Sequence, residues 1–378
     1  MRVILAPNSF RDGPSAFRVA EAMASGINRV FPDALIDIFP LADGGDGTLE
    51  VLARIFKGSI HDITVQDPLG RPVKAKFFID TEKNLAVIEM AEASGLRLVA
   101  NEDRDPFRSS SYGTGELIRF VLDMGVSNIF LGAGGSATID AGAGALSALG
   151  AVFLNEAGHP LDPTPAGLID VVDCDLKRLH PRLKEVKITV LSDVFTPLVG
   201  NSTVFGQQKG VKLETSEVLN QVLIRLDNIF RKRGYDDILE TPWFGAGGGL
   251  AGGLAALAGA QVVGGAEFIL NIAGLPNLLD RAEILLTGEG CFDATSFQGK
   301  LPVVVTNMAA DKGVVSVIIA GQVAWEEIKP LPARVSYFST TFGVGTLEKV
   351  VSGGTERIAT AAEQVMRIYL SGRKGEVT

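Results

Sequence analysis

At roughly 150 residues per domain, the 378 residues of the chain predict two domains and exclude a peptide or a lone small module. Apolar residues make up 46% and charged residues 21%, a globular mix that excludes intrinsic disorder. The 35 Lys and Arg against 44 Asp and Glu leave a net charge of −9, and with no basic patch in the sequence, binding to nucleic acid is not expected.

Taken in chain order, the first elements alternate. Val3 to Ala6 reads as a strand, Ser15 to Val30 has helical spacing through Phe17, Ala20, Met23, Ala24 and Ile27, Leu35 to Phe39 reads as a second strand, and a helix runs from Thr48 to Phe56. That order implies a parallel sheet, because parallel strands need a crossover. The rhythm then changes. Ile60 to Val65, Val73 to Ile79 and Leu85 to Met90 are strand-like runs separated by short turns, which implies antiparallel pairing. Helical signals return from Gly113 to Leu149 around a strand at Asn128 to Leu131, and Val186 to Leu191 is another strand. An amphipathic helix at Ser216 to Arg231 precedes the stretch Thr241 to Ala266, which is uncharged but too glycine-rich for a membrane span and reads as a packed loop and helix.

After Glu283 the alternation resumes with a strand at Ile284 to Thr287, a helix near Pro302 to Lys312, a strand at Val315 to Ala320 and a last helix near Leu347 to Leu370. The parallel rhythm at both ends predicts one α/β domain from residues 1–61 plus 284–378, with a mixed α+β domain, 62–283, inserted in it. The two cysteines, Cys174 and Cys291, are too few for a disulfide scaffold. No signal peptide or membrane segment is evident, so a cytoplasmic setting is expected.

In a parallel α/β sheet, ligands bind beyond the carboxyl ends of the strands. Four loops have that predicted placement. Ala6 to Arg11 offers Asn8 and Ser9 as hydrogen-bonding groups and Arg11 as a partner for an anion. Asp43 to Thr48 combines three glycines with the carboxylates Asp43 and Asp46, a pattern suited to Mg2+ beside a phosphate or to a tight turn capping the next helix. Gly132 to Asp140 presents consecutive amides at Gly134 and Gly135 and the hydroxyls of Ser136 and Thr138, as a phosphate cradle would. It is neither a Walker loop nor the dinucleotide fingerprint. Thr287 to Asp293, leading on to Gly299 and Lys300, sets Gly288 and Gly290 beside Glu289, Asp293 and a lysine at a helix entrance. Within the inserted region, Asp193 follows an apolar strand, where it could act as base or metal ligand, and Lys209 sits in a turn with two amides. His61, His159 and His180 are scattered without a motif and read as surface residues, and Cys291 has no neighbouring histidine, which disfavours Ser-His-Asp and thiolate chemistry.

Read together, these segments resemble the type I glycerate kinase family. The resemblance is carried in order by APNSF at Ala6, ADGGDGT at Ala42, DPLG at Asp67, EMAEASGL at Glu89, SSYGTGELI at Ser110, GAGGSAT at Gly132, SDV at Ser192, VFGQQKG at Val204, GAGGGLAGGL at Gly245 and TGEG followed by GK at Thr287. It implies ATP-dependent phosphorylation of D-glycerate to a phosphoglycerate, with 2-phosphoglycerate favoured. It also implies a flavodoxin-like parallel-sheet domain, an inserted mixed domain and a cleft between them that closes on the reactants.

Phosphoryl transfer needs a group to orient the hydroxyl, metal ligands and cations around the phosphates. On this reading Asp193 accepts the glycerate hydroxyl proton, Asp43, Asp46, Glu289 and Asp293 are the pool of Mg2+ ligands, and Lys300 and Lys209 pair with phosphate charge. Gly134, Gly135, Ser136, Thr138, Gly288 and Gly290 line the phosphates, while Asn8, Ser9 and Arg11 hold the glycerate end. Several positions depart from the family pattern: Asn8 stands where Asp is usual, Arg11 for Lys, Ile139 for Asn, Phe195 and Thr196 for an Asp-Asn pair, and Cys291 for Arg. A kinase for another small hydroxy acid or polyol, and a non-catalytic nucleotide- or phosphate-binding protein, are the alternative readings. Homodimerisation is left open.

Overall fold

A computed structural model describes residues 1–10, 13–192, 194–198, 206–235, 239–341 and 354–372. The chain forms two compact units, Met1–Asp43 with Ala266–Thr378 and Gly44–Gly265. Among the described residues no helix is long and apolar enough to cross a membrane.

The first unit is built on a five-stranded, wholly parallel sheet of Arg2–Leu5, Leu35–Ile38, Ile284–Phe292, Val315–Val323 and Val335–Ser339. Numbered along the chain, their order across the sheet is 2-1-3-4-5, the flavodoxin-like arrangement. Both chain ends therefore supply one sheet. Helix Ala16–Asn28 starts where the Ser15 hydroxyl accepts from the Arg18 amide, and buries Val19, Ala20, Met23 and Ile27 on one face. That face shares a core with Ile358, Ala362, Val365 and Met366 of helix Gly354–Gly372 and with Val3, Leu5 and Leu286 of the sheet. Each fully buried side chain of this size contributes about 1.5–3 kcal/mol relative to an exposed one.

Two elements here differ from the sequence reading. Strand Ile284–Phe292 runs past Thr287, so Gly288, Glu289 and Gly290 are strand residues, with Gly288 paired to Ile319 and Glu289 to Ala320. Strand Val335–Ser339 lies at the sheet edge and was not foreseen.

The second unit carries a six-stranded mixed sheet in the order Gln261–Gly264, Lys187–Ser192, Asn128–Gly132, Leu85–Glu89, Pro72–Asp80 and Ser59–Gln66. The last three form the antiparallel meander expected from their short turns, and the first four run parallel. Helices Tyr112–Asp123, Ala143–Ala148, Leu213–Lys232 and Leu250–Ala258 contribute to its core, which includes Phe77, Ile88, Leu117, Leu131, Val190, Leu226 and Phe230. The glycine-rich stretch holds the loop and buried helix that its composition suggests, and it also supplies the strand Gln261–Gly264, which the sequence reading lacks. Helix Thr48–Ile55 also belongs to this unit.

The parallel register sets the functional edge. Glu89 pairs with Gly132, Gly132 with Leu191, and Gly264 with Ser192, so four strands end side by side at their carboxyl termini.

Candidate active site

In the first unit the strand order reverses between Arg2–Leu5 and Ile284–Phe292, and such a switch point opens a ligand crevice beyond the strand ends. The segment after the first strand is tied there by backbone bonds from Ala6 N to Leu286 O (2.9 Å) and from Asn8 N to Gly288 O (2.9 Å), and by the Thr287 hydroxyl to Ala6 O (2.7 Å). Asn8 Nδ2 donates to Asp43 Oδ2 at 2.9 Å, and its Oδ1 accepts from the Ser9 amide at 2.8 Å. An Asp at position 8 would set a like charge against Asp43. The asparagine supplies a hydrogen-bond donor to that carboxylate instead.

Glu289 and Asp293 stand at the same edge. Burial raises the Glu289 carboxyl to about 7, Lys300 and the Ser296 hydroxyl oppose the rise, and Asp43 and Asp293 add to it. Ser296 Oγ donates to Glu289 Oε1 at 2.6 Å. Asp293 behaves differently: burial pushes it up, but the Thr295 side chain, Lys300 and the Thr295 amide outweigh that and hold it below the ordinary carboxylate value. Asp293 caps the short turn Ala294–Phe297 reciprocally with Ser296. Lys300 Nζ donates to Thr295 Oγ1 at 2.6 Å, at the entrance of helix Leu301–Asp311. Asn8, Ser9, Asp43, Glu289, Asp293 and Lys300 thus share one unit and one sheet edge. Cys291, on the strand between the two acids, has its thiol pushed up by burial and by Asp293 and is poorly disposed to act as a nucleophile.

In the second unit the Gly132–Thr138 turn leaves the carboxyl end of Asn128–Gly132. Gly134 N donates to Gly44 O at 3.0 Å, which sets the turn against the Gly44–Thr48 loop. Gly44 itself has φ +100°, and a Cβ there would lie 2.4 Å from Leu191 O, so the loop approaches the strand end only without a side chain. Lys209 is buried, and its ammonium donates to Ser136 Oγ and to Thr138 O, both at 2.9 Å. It braces the turn from behind in this structure. Thr138 Oγ1 is buried without a hydrogen-bond partner, an arrangement that suits a turn awaiting an anionic acceptor. Gly134, Gly135, Ser136, Thr138, Lys209 and Asp46 lie in this unit, with Asp46 Oδ1 4.0 Å from Arg97 Nη1. The helix after Asp46 is capped at Gly47 with no side-chain bond, so Asp46 is not its cap. Arg11 and Asp193 lie outside the described residues.

Two buried carboxylates here were not singled out in the sequence. Glu89 Oε1 accepts from Leu49 N at 2.6 Å, at the start of helix Thr48–Ile55, and burial raises its carboxyl to about 7, against the Leu49 amide and Arg97 and with Asp46 and Glu92 adding to the rise. Asp140, fully buried, accepts from Ser111 N (2.7 Å), Ser111 Oγ (2.7 Å), Gly142 N (3.1 Å) and Gly144 N (3.3 Å), so it holds the ends of two helices beside the glycine turn. Their signal was an acid closing an apolar run in EMAEASGL and an acid ending the GAGGSATID turn. His61 and His159 are exposed as expected, but His180 is only 13% exposed and bonds Asp123 at 3.0 Å. Among the described residues no three His, Cys, Asp or Glu side chains converge as a metal-binding cluster.

The family model described as the glycerate kinase family matches residues 3–370 of the chain. A protein of Haemophilus influenzae named glycerate kinase is 37% identical over 372 residues, covering 97% of this chain and 98% of its own. One of Escherichia coli named glycerate 2-kinase is 36% identical, covering 99% of each. A crystal structure from Salmonella typhimurium LT2 that carries the designation glycerate kinase 2 superposes with a TM-score of 0.82 at 36% identity, over 99% of both chains.

Proposed function

From the premise that this chain belongs to the glycerate kinase family, and so is a phosphotransferase with an alcohol acceptor, we propose that it transfers the γ-phosphate of ATP to D-glycerate, at the 2-hydroxyl. The observation that carries the reading is the family match across residues 3–370, which takes in every loop assigned a role below. The geometry supports it: each unit presents its polar loops at the carboxyl edge of parallel strands, where phosphate and small-acid ligands bind.

Phosphoryl transfer asks a protein chiefly for positioning and charge neutralisation. In this proposal the amides of Gly134 and Gly135 and the hydroxyls of Ser136 and Thr138 receive phosphate oxygens, with Lys209 fixing the turn and adding positive charge. Lys300, already beside Asp293, neutralises charge on the phosphoryl group in flight. Asn8, Ser9 and Arg11 hold the acceptor, Gly288 and Gly290 line the phosphates, and Asp193 takes the proton of the attacking hydroxyl. Mg2+, held by one or two acids from Asp43, Asp46, Glu289 and Asp293, would supply further charge neutralisation.

The test is coupled ADP release with Mg-ATP and D-glycerate, run beside L-glycerate, glycerol and tartronate, followed by NMR of the product. Turnover with D-glycerate and a 2-phosphorylated product is the expected result. Turnover with another acceptor alone would re-assign the substrate, and none with any acceptor would leave a binding protein. Asp193→Asn should lose turnover with the fold intact, and retained turnover would remove it as the base.

A further inference from the structure

We propose that Phe195 and Trp243 form a stacking platform for the adenine ring of the nucleotide, a subsite that rests on the phosphotransfer reading above. The two rings meet edge to face, with centroids 4.7 Å apart and planes at 80°. Phe195 is 49% exposed although it follows a buried strand, and Trp243 is partly exposed. The two rings therefore pack on each other while leaving aromatic surface open to a planar ligand. Trp243 is one of three non-glycine residues with positive φ among those described, at +70°. A bulky side chain keeps that backbone conformation only where its surroundings hold it. Here the indole lies across Gly264, where a Cβ would come within 3.0 Å of its ring.

Placement supplies the ligand. Gly132, Leu191 with Ser192, and Gly264 end level on three neighbouring parallel strands. The phosphate turn leaves the first, Phe195 follows the second, and Trp243 covers the third. Adjacent strands are about 4.8 Å apart, so the strand carrying the turn lies about 5 Å along the edge from the strand that Phe195 follows and about 10 Å from the one that Trp243 covers, within the reach of a nucleotide from its base to its phosphates. Thr196 O accepts from Gly245 N at 3.0 Å, which fixes the segment carrying Phe195 to the segment carrying Trp243. Thr196 Oγ1 is buried without a partner beside them and gives the platform a polar group for a base edge. An aromatic face accepts any base through its π-surface, and adenine is the base that the proposed co-substrate brings.

The chain has two tryptophans, Trp243 and Trp325. Trp325 is 71% exposed, so the full-length Trp325→Phe variant leaves Trp243 as the sole indole reporter at little structural cost. Adenosine and Mg-ATP should quench its emission, while tripolyphosphate should not. Phe195→Ala should raise the KM for ATP by about fivefold or more, with the KM for glycerate unchanged and Phe195→Tyr restoring the original value. Unquenched Trp243 emission at saturating adenosine, or an unchanged KM for ATP in Phe195→Ala while glycerate is still turned over, would overturn the platform. If the unaltered protein turns over no acceptor, the phosphotransfer reading fails, and adenosine quenching alone then decides the platform for or against.

Discussion

Replacing Asp140 with Asn separates two opposed views of a buried carboxylate. Burial favours the neutral acid and raises its pKa, with the Ser111, Gly142 and Gly144 donors opposing it. If desolvation of the charge dominated, an uncharged amide of the same shape would be neutral or stabilising. The donor set predicts the reverse. Oδ2 accepts from Ser111 N, Ser111 Oγ and Gly144 N, and Oδ1 from Gly142 N. With the amide oxygen in the Oδ2 position the new NH2 faces the Gly142 amide, and with it in the Oδ1 position two backbone amides are orphaned. One buried N–H left unpaired costs about 1–3 kcal/mol, and three charge-assisted bonds that become neutral ones lose roughly half their strength. The sum is about 3 kcal/mol or more, equivalent to opening these helix ends about a hundredfold more often. Hydrogen exchange read by mass spectrometry on peptides covering 111–123 and 140–148 measures this directly. Exchange in Asp140→Asn that is unchanged or slower than in the unaltered protein would refute the donor argument.

Glu89 and Glu289 both titrate near 7 rather than at the ordinary 4.5, so the folded state binds their protons more tightly than the unfolded chain does. Their contribution is therefore greatest below about 4.5 and is lost as pH rises to about 7, so Glu89→Gln and Glu289→Gln should each flatten the fall in Tm across that window, measured by thermal scans from pH 4 to 8. Gly44→Ala should destabilise the second unit by about 2 kcal/mol or more, because the new methyl meets Leu191 O in a left-handed backbone, and urea unfolding followed at that unit would show it.

Apolar runs and their alternation made most of the fold legible, since the period of burial dictates strand or helix before any tertiary contact is made. Both ends of the chain announced the parallel sheet, and the short turns after Asp67 and Thr81 announced the meander. The glycines after Thr287 read as loop, yet a glycine is tolerated in a central strand where the neighbouring backbone comes close, and strand Ile284–Phe292 runs on through them. Val335–Ser339 leaves little sequence signal because an edge strand buries little and shows no apolar run. Loop acids and hydroxyls were legible from residue type. Glu89, Asp140 and the bracing role of Lys209 were not, because a buried charge is recognised by its hydrogen-bond partners, and the Leu49, Ser111, Ser136 and Thr138 partners lie 29 to 73 positions away.

Helix Thr48–Ile55 has eight residues, no side-chain cap of its own, and its second amide held by a carboxylate 40 positions downstream. A segment this short does not persist alone in water. As the chain leaves the ribosome, the Gly44–Gly47 loop therefore has nothing to close on until residue 89 has emerged and its strand has paired. Translation order makes that loop one of the last parts of the early chain to settle. A truncation before residue 89 would release a chain whose phosphate edge is unmade.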